Sequence, residues 1–173
     1  MGRILWHNQK NSNMGQPLIV SSAIDIQVPA TAVWDALTNP GMTKKYMFGC
    51  EAISDWRPGS PLIWKGNFNG LDMVAVKGSV VSIEPGRSLV YTVIDPNNPA
   101  IPDVPENYLT ITYELTEQDG HTRLAVTQGD YNSVAEGAKR YEETMAGGGW
   151  TPLLVQIKAL LEGGARGGDA SAV

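Results

Sequence analysis

At 173 residues, 42% of them hydrophobic, the chain suits one globular domain that buries roughly two thirds of its unfolded surface. A net charge of -5, with no basic cluster to offset it, argues against nucleic acid as a partner. The single cysteine, Cys50, excludes a disulfide within the chain, and no apolar run approaches the ~20 residues of a membrane span.

Residues 1–17 are polar apart from Ile4, Leu5 and Trp6, and read as a flexible extension without the apolar core of a secretory signal. The expected location is therefore the cytoplasm. Pro17 opens a first strand in which Ile24, Ile26 and Val28 alternate with Asp25 and Gln27. Residues 29–38 read as a short helix with Val33, Trp34 and Leu37 on one face. Asn39-Pro40-Gly41 breaks it, and residues 42–48 read as a second short helix carrying the solvated pair Lys44-Lys45.

From there to Tyr131 the pattern is strand and turn. Strands are expected at 51–56, 62–68, 73–83, 88–94, 108–115 and 121–128. Trp64, Gly66 and Phe68 share one side of the second of these. Glu84-Pro85-Gly86-Arg87 and Gln118-Asp119-Gly120 supply hairpin turns. With the first strand this makes seven, an antiparallel meander with one apolar face. Residues 95–106 carry Pro96, Pro99, Pro102 and Pro105, which rules out a central strand and predicts a long loop at a rim or lid.

Residues 133–145 have helical composition. Gly147-Gly148-Gly149 then predicts a kink or break, acting either as a hinge or as a place of close packing. Beyond it Trp150, Leu153, Leu154, Ile157, Leu160 and Leu161 recur at three-and-four spacing, the stripe of a helix that lies on a large apolar surface. Thr151 is placed to cap this helix, Pro152 to open it and Gly163-Gly164 to end it, leaving 164–173 as a disordered tail.

Chemical motifs are scarce. There is no phosphate loop, and two histidines with one cysteine cannot build a metal site of ordinary spacing, so neither metal nor cofactor is expected. His121 stands beside a surface turn, which argues against a nucleophilic triad. Asp72 and Asp130 fall at strand ends as turn formers, and Glu142-Glu143 on a solvated face.

Three segments together resemble a known family. Val33-Trp34-Asp35-Ala36-Leu37-Thr38-Asn39-Pro40 is similar to its first-helix signature. Gly78-Ser79-Val80 through Ile83-Glu84-Pro85, then Leu89-Val90-Tyr91, is similar to its central hairpin. Gly149-Trp150 followed by Leu153, Leu154, Ile157 and Leu160 is similar to its closing helix. Over residues 18–163 the chain thus resembles the SRPBCC (START-like) superfamily, in the AHSA-like branch homologous to the activator of heat-shock-protein ATPase. The glycine triplet and the length of the proline-rich loop depart from that pattern.

The resemblance implies an α+β helix-grip fold: a curved antiparallel sheet of seven strands around the C-terminal helix, with an apolar cavity between them. The superfamily includes lipid carriers, plant hormone-binding proteins, polyketide cyclases and co-chaperone domains, so the fold alone decides no function. Strand parity turns Tyr91, Tyr113 and Gln128 inward, where each needs a hydrogen-bond partner in the protein or in a ligand. The expected cavity residues are therefore Tyr91, Tyr113 and Gln128 among Trp64, Phe68, Met145 and Leu153. The leading expectation is binding of a small apolar or amphipathic molecule. The alternatives are a cofactor-free enzyme of the cyclase or dehydratase kind in the same cavity, and a co-chaperone-like module that engages a protein partner.

Overall fold

The computed structural model describes residues 16–165, with side chains as far as Gly163. The expected N-terminal extension and C-terminal tail fall almost wholly outside the described residues. Seven strands form one antiparallel sheet: β1 (Val20–Ile26), β2 (Glu51–Ser54), β3 (Pro61–Phe68), β4 (Leu71–Glu84), β5 (Ser88–Val93), β6 (Leu109–Gln118) and β7 (His121–Gly129). Their spatial order is β1-β7-β6-β5-β4-β3-β2, so β2 to β7 meander while β1 closes beside β7. The alternation read in the sequence is the alternation of burial. Leu109, Ile111, Tyr113 and Leu115 of β6 are buried, as are Leu124 and Val126 of β7.

The sheet is curved, and two irregularities bend it. The β3–β4 register shifts between Trp64 and Lys65, and the β4–β5 register between Val80 and Ser82. Bulges of this kind bend a strand and increase its twist. Gly78 sits just before the second one, where an added Cβ would lie 1.6 Å from the Thr92 carbonyl oxygen. Only a residue without a side chain lets the two strands approach so closely there.

Helix α1 (Ala30–Thr38) packs Val33, Ala36 and Leu37 into the core. The second helix is shorter and earlier than its composition predicts. It is a single turn, α2 (Pro40–Thr43), started by the Asn39 side chain accepting from Gly41 N at 2.9 Å. The chain then unwinds through Phe48 (φ 54°) and Gly49 (φ 80°) into β2. Thr43 locks this corner: its hydroxyl donates to Cys50 O at 3.2 Å and accepts from Ala52 N at 2.9 Å. Helix α3 (Gly137–Ala146) starts four residues later than expected, because a 3-10 turn, Tyr131–Ser133, precedes it.

Helix α4 (Thr151–Ala165) lays its stripe on the sheet: Ile157 and Leu154 are sealed, Trp150 is buried and Leu153 and Leu160 are half-buried. Two of the expected end signals act differently. The first helical bond runs from Leu154 N to Trp150 O at 3.0 Å, which makes Trp150 the cap residue. The Thr151 hydroxyl instead meets Ser22 Oγ of β1 at 2.8 Å. Gly163 and Gly164 do not stop the helix, which runs on to Ala165. Lys158 Nζ donates to Asp25 O at 2.6 Å and Glu162 Oε1 accepts from Gln27 N at 3.0 Å, strapping the far end of α4 to the β1 strand and its exit.

The glycine triplet is a break between α3 and α4. Gly148 and Gly149 have φ of 92° and 60°, and a Cβ on Gly149 would meet Val20 Cγ1 at 3.0 Å. Both conformational need and close packing therefore hold these positions. The proline-rich loop is no lid. Asn97 Nδ2 donates to Val74 O at 2.8 Å, Asp103 pairs with Lys77, and Tyr108 donates to Asp103 at 2.6 Å, so the loop is pinned along β4.

Two stability predictions follow from this packing. Leu154→Ala should cost about 2–5 kcal/mol in urea unfolding, whereas Val155→Ala, at a position 51% exposed, should stay within about 0.5 kcal/mol. Comparable losses would place α4 off the sheet. Alanine at Gly148 or Gly149 should cost about 1–2 kcal/mol each, because a side chain there must adopt left-handed backbone. Alanine at Gly163, with open space around it in the helix, should be neutral or stabilise by up to about 1 kcal/mol. Equal effects at Gly149 and Gly163 would contradict the conformational argument.

Candidate functional site

Between the sheet and the start of α4 lies a cavity of about 450 Å³, within the range usual for small-molecule sites. A chain of rings from β3, β5, β6 and the residue before α4 runs along it, three of them on the wall and Tyr113 one layer behind. Trp64 stands 6.3 Å from Tyr91, Tyr91 stands 6.0 Å from Tyr113, and Trp150 meets Tyr113 edge-on at 5.7 Å. Aromatic pairs at these spacings and tilts attract beyond their buried area.

Four strand positions and one helix position expected on the wall are there: Trp64, Phe68, Tyr91, Gln128 and Leu153. Two expected residues are not. Tyr113 is sealed behind Tyr91 and reaches no open space, because its ring is covered by Tyr91 on one side and Trp150 on the other. Met145 is 50% exposed and absent from the wall. The break at Gly148 and Gly149 uncouples the phase of α3 from that of α4, so Thr144 faces the cavity instead. Sequence reasoning missed Met47, Phe48 and Cys50, which line the cavity from the turn before β2. The signal was Gly49, which marks chain reversal rather than a helix running to Phe48. Phe48 is 79% exposed and frames the mouth.

Most of the inward polar groups are bonded to other described residues. Tyr91 OH faces Tyr113 OH at 3.5 Å, and Thr144 Oγ1 donates to Arg140 O at 2.8 Å. Trp150 Nε1 donates to Gln128 Oε1 at 2.8 Å. Gln128 and Thr144 also border a polar groove lined by Asp95, Asn98, Arg140 and Glu143, so they form the partition between the two spaces.

Among the described residues no carboxylate, imidazole or ammonium lines the cavity. Its two titratable groups are held neutral. Burial pushes the Tyr91 hydroxyl far up, with a smaller contribution from nearby Tyr46, and burial likewise pushes the Cys50 thiol up. A thiol so placed is a packing group, and His121 of the β6–β7 hairpin is not on the wall. Among the described residues no group of three or more His, Cys, Asp or Glu could hold a metal ion. No helix among them is long and apolar enough to cross a membrane.

A family model described as activator of Hsp90 ATPase homolog 1-like protein matches residues 27–162. A protein from Cytophaga hutchinsonii, known from its solution structure, is 32% identical over 86% of this chain and 96% of its own, with a TM-score of 0.65. An HSP90 activator from Plasmodium falciparum is 19% identical over 83% of this chain and 96% of its own, with a TM-score of 0.57. The Aha1 dimer from Colwellia psychrerythraea is 18% identical over the same shares, with a TM-score of 0.60. At such identities the last two are likenesses of fold alone. No curated protein sequence matches. With the family model spanning most of its length and the helix-grip sheet in place, the chain belongs to the activator of Hsp90 ATPase homolog 1-like family, the AHSA-like branch of the SRPBCC superfamily.

Proposed function

We propose that this protein binds a small apolar or amphipathic molecule in the cavity between the sheet and α4. The observation that carries this reading is the wall: about 450 Å³ lined mostly by aromatic and aliphatic side chains, without a charged group among the described residues, and open beside Phe48. Apolar surface removed from water there contributes roughly 25 cal/mol per Å². An apolar molecule seated there would also gain packing contacts with the wall.

An enzyme of the cyclase or dehydratase kind needs an acid or base whose pKa lies near the working pH. The wall offers Tyr91 and Cys50, both shifted away from that range, which supports binding over catalysis. A second reading, engagement of a protein partner, draws its support from the relatives named as an HSP90 activator and an Aha1 dimer. A filled core would serve that reading as well as an open one.

Filling the cavity separates the two. Ala75→Phe places a ring against the half-buried wall position on β4. A neutral fluorescent probe such as N-phenylnaphthylamine should bind the parent, quench Trp64 and Trp150, and bind the variant about tenfold or more weakly, with the melting temperature within a few degrees. Equal binding by both proteins, or none by either, removes the support for a ligand site and leaves the protein-partner reading.

The neutral interior also sets an alkaline limit. Burial raises Tyr46, Tyr91 and Tyr113 well above the ordinary value of 10.0, so the folded chain retains protons that the unfolded chain releases. Their stabilising effect is complete below that value. It falls as pH rises beyond it, by up to about 1.4 kcal/mol per pH unit for each fully shifted tyrosine. Tyrosinate absorbance should therefore rise in two stages, the second coinciding with loss of circular dichroism. A complete titration of all six tyrosines in the folded state would contradict the assignment.

A further inference from the structure

We propose that the molecule held in the cavity carries a neutral hydrogen-bond acceptor, such as a ketone, ester or ether oxygen, and that Gln128 Nε2 is the group that recognises it. The proposal rests on the cavity reading above and narrows it to a chemical class. An indole nitrogen can only donate, so the bond from Trp150 Nε1 to Gln128 Oε1 at 2.8 Å fixes which way the amide points. The oxygen is committed to the helix. The two Nε2 protons are therefore turned elsewhere, and no described residue accepts from them. No sealed side-chain nitrogen or oxygen among the described residues lacks a partner, so Nε2 reaches open space at the partition that Gln128 forms between the cavity and the polar groove.

The other polar groups of the wall are committed differently. The Thr144 hydroxyl donates to Arg140 O, and the Tyr91 hydroxyl is turned to Tyr113. Among the described residues Gln128 thus offers the wall's amide donor without an internal partner, the weakly donating Cys50 thiol aside. Its neighbours on the ladder, Val20 of β1 and Ile111 of β6, are buried and apolar, so the backbone holds it in one place. An occupant that covers Nε2 without offering an acceptor strips its water and returns nothing. An anion has no opposite charge on the wall to meet, and a cation none either. What fits is an uncharged apolar body with one acceptor aimed at the partition.

The test uses methyl naphthyl ketone and its isopropenyl counterpart, in which =CH2 replaces the carbonyl oxygen. Kd values come from quenching of the cavity tryptophans in the parent and in Gln128→Met. Taking the ratio of the two Kd values within each protein cancels the probes' different solubilities. The ratio should move about tenfold against the ketone in Gln128→Met, over and above any loss that both probes share once Trp150 Nε1 has lost its acceptor. In the parent, the Gln128 side-chain amide signals in the proton–nitrogen spectrum should shift with ketone and not with its counterpart. This second arm stands even if the variant fails to fold. If both probes bind the parent but the ratio is unchanged, or the amide signals do not respond to ketone, the assignment to Gln128 is wrong and the cavity reading survives. If neither probe binds the parent, both fall together.

Discussion

Trp150 holds the molecule's two halves in register. Its indole N–H is bonded to Gln128 on β7, its ring rests edge-on against Tyr113 on β6, and its carbonyl accepts the first hydrogen bond of α4. Cap, anchor and wall are one residue. Because the helix starts there, its phase is set there: with Trp150 turned into the sheet, Leu154 and Ile157 must follow one and two turns later on the same face. The glycines just before it serve this placement. Their left-handed backbone lets the chain leave α3 and approach Val20 of β1 closely enough for the indole to reach β7.

What remains between helix and sheet is a consequence of curvature. Two bulges in β4, at Ala75 and Val81, and the bare Gly78 bend the sheet, while β1 stays in contact with α4. The helix covers one side of the concave face and leaves the other open. Trp64, Phe68 and Val76 then wall a space that α4 does not fill, bordered on the far side by the turn carrying Met47 and Phe48, where its mouth lies. Lys77 of β4 and Asp103 of the proline-rich loop meet away from the cavity wall. There the Lys77 ammonium and the Tyr108 hydroxyl bond Asp103 and hold its carboxyl below its ordinary range.

The elements that a two-residue or three-to-four-residue rhythm can announce were legible in the chain itself. All seven strands were, as was the apolar stripe of the last helix. The resemblance added the curvature and the cavity, neither of which periodicity reveals. Parity placed Trp64, Phe68, Tyr91 and Gln128 on the correct face. It says nothing of depth, which is why Tyr113 was expected at the cavity and lies one layer behind it. Met145 was misplaced for a different reason: the phase of α3 is set by the tertiary fit of Gly137, whose added Cβ would sit 1.6 Å from Tyr131 O. Phe48 and Cys50 belong to a turn whose form depends on Thr43 bonding across to Cys50 and Ala52. Contacts between segments of this kind leave no periodic trace.

The central claim is that an apolar, accessible space exists beside Trp64, Tyr91 and Leu153 and prefers an apolar occupant to water. Crystals pressurised with xenon test it directly, since a dry apolar cavity takes up the gas whereas a polar or collapsed one does not. The account predicts one or more ordered xenon atoms in van der Waals contact with these three side chains, and no xenon in the polar groove beyond Gln128. A chain of ordered waters in that space, or side chains closed over it with no xenon bound, would contradict it.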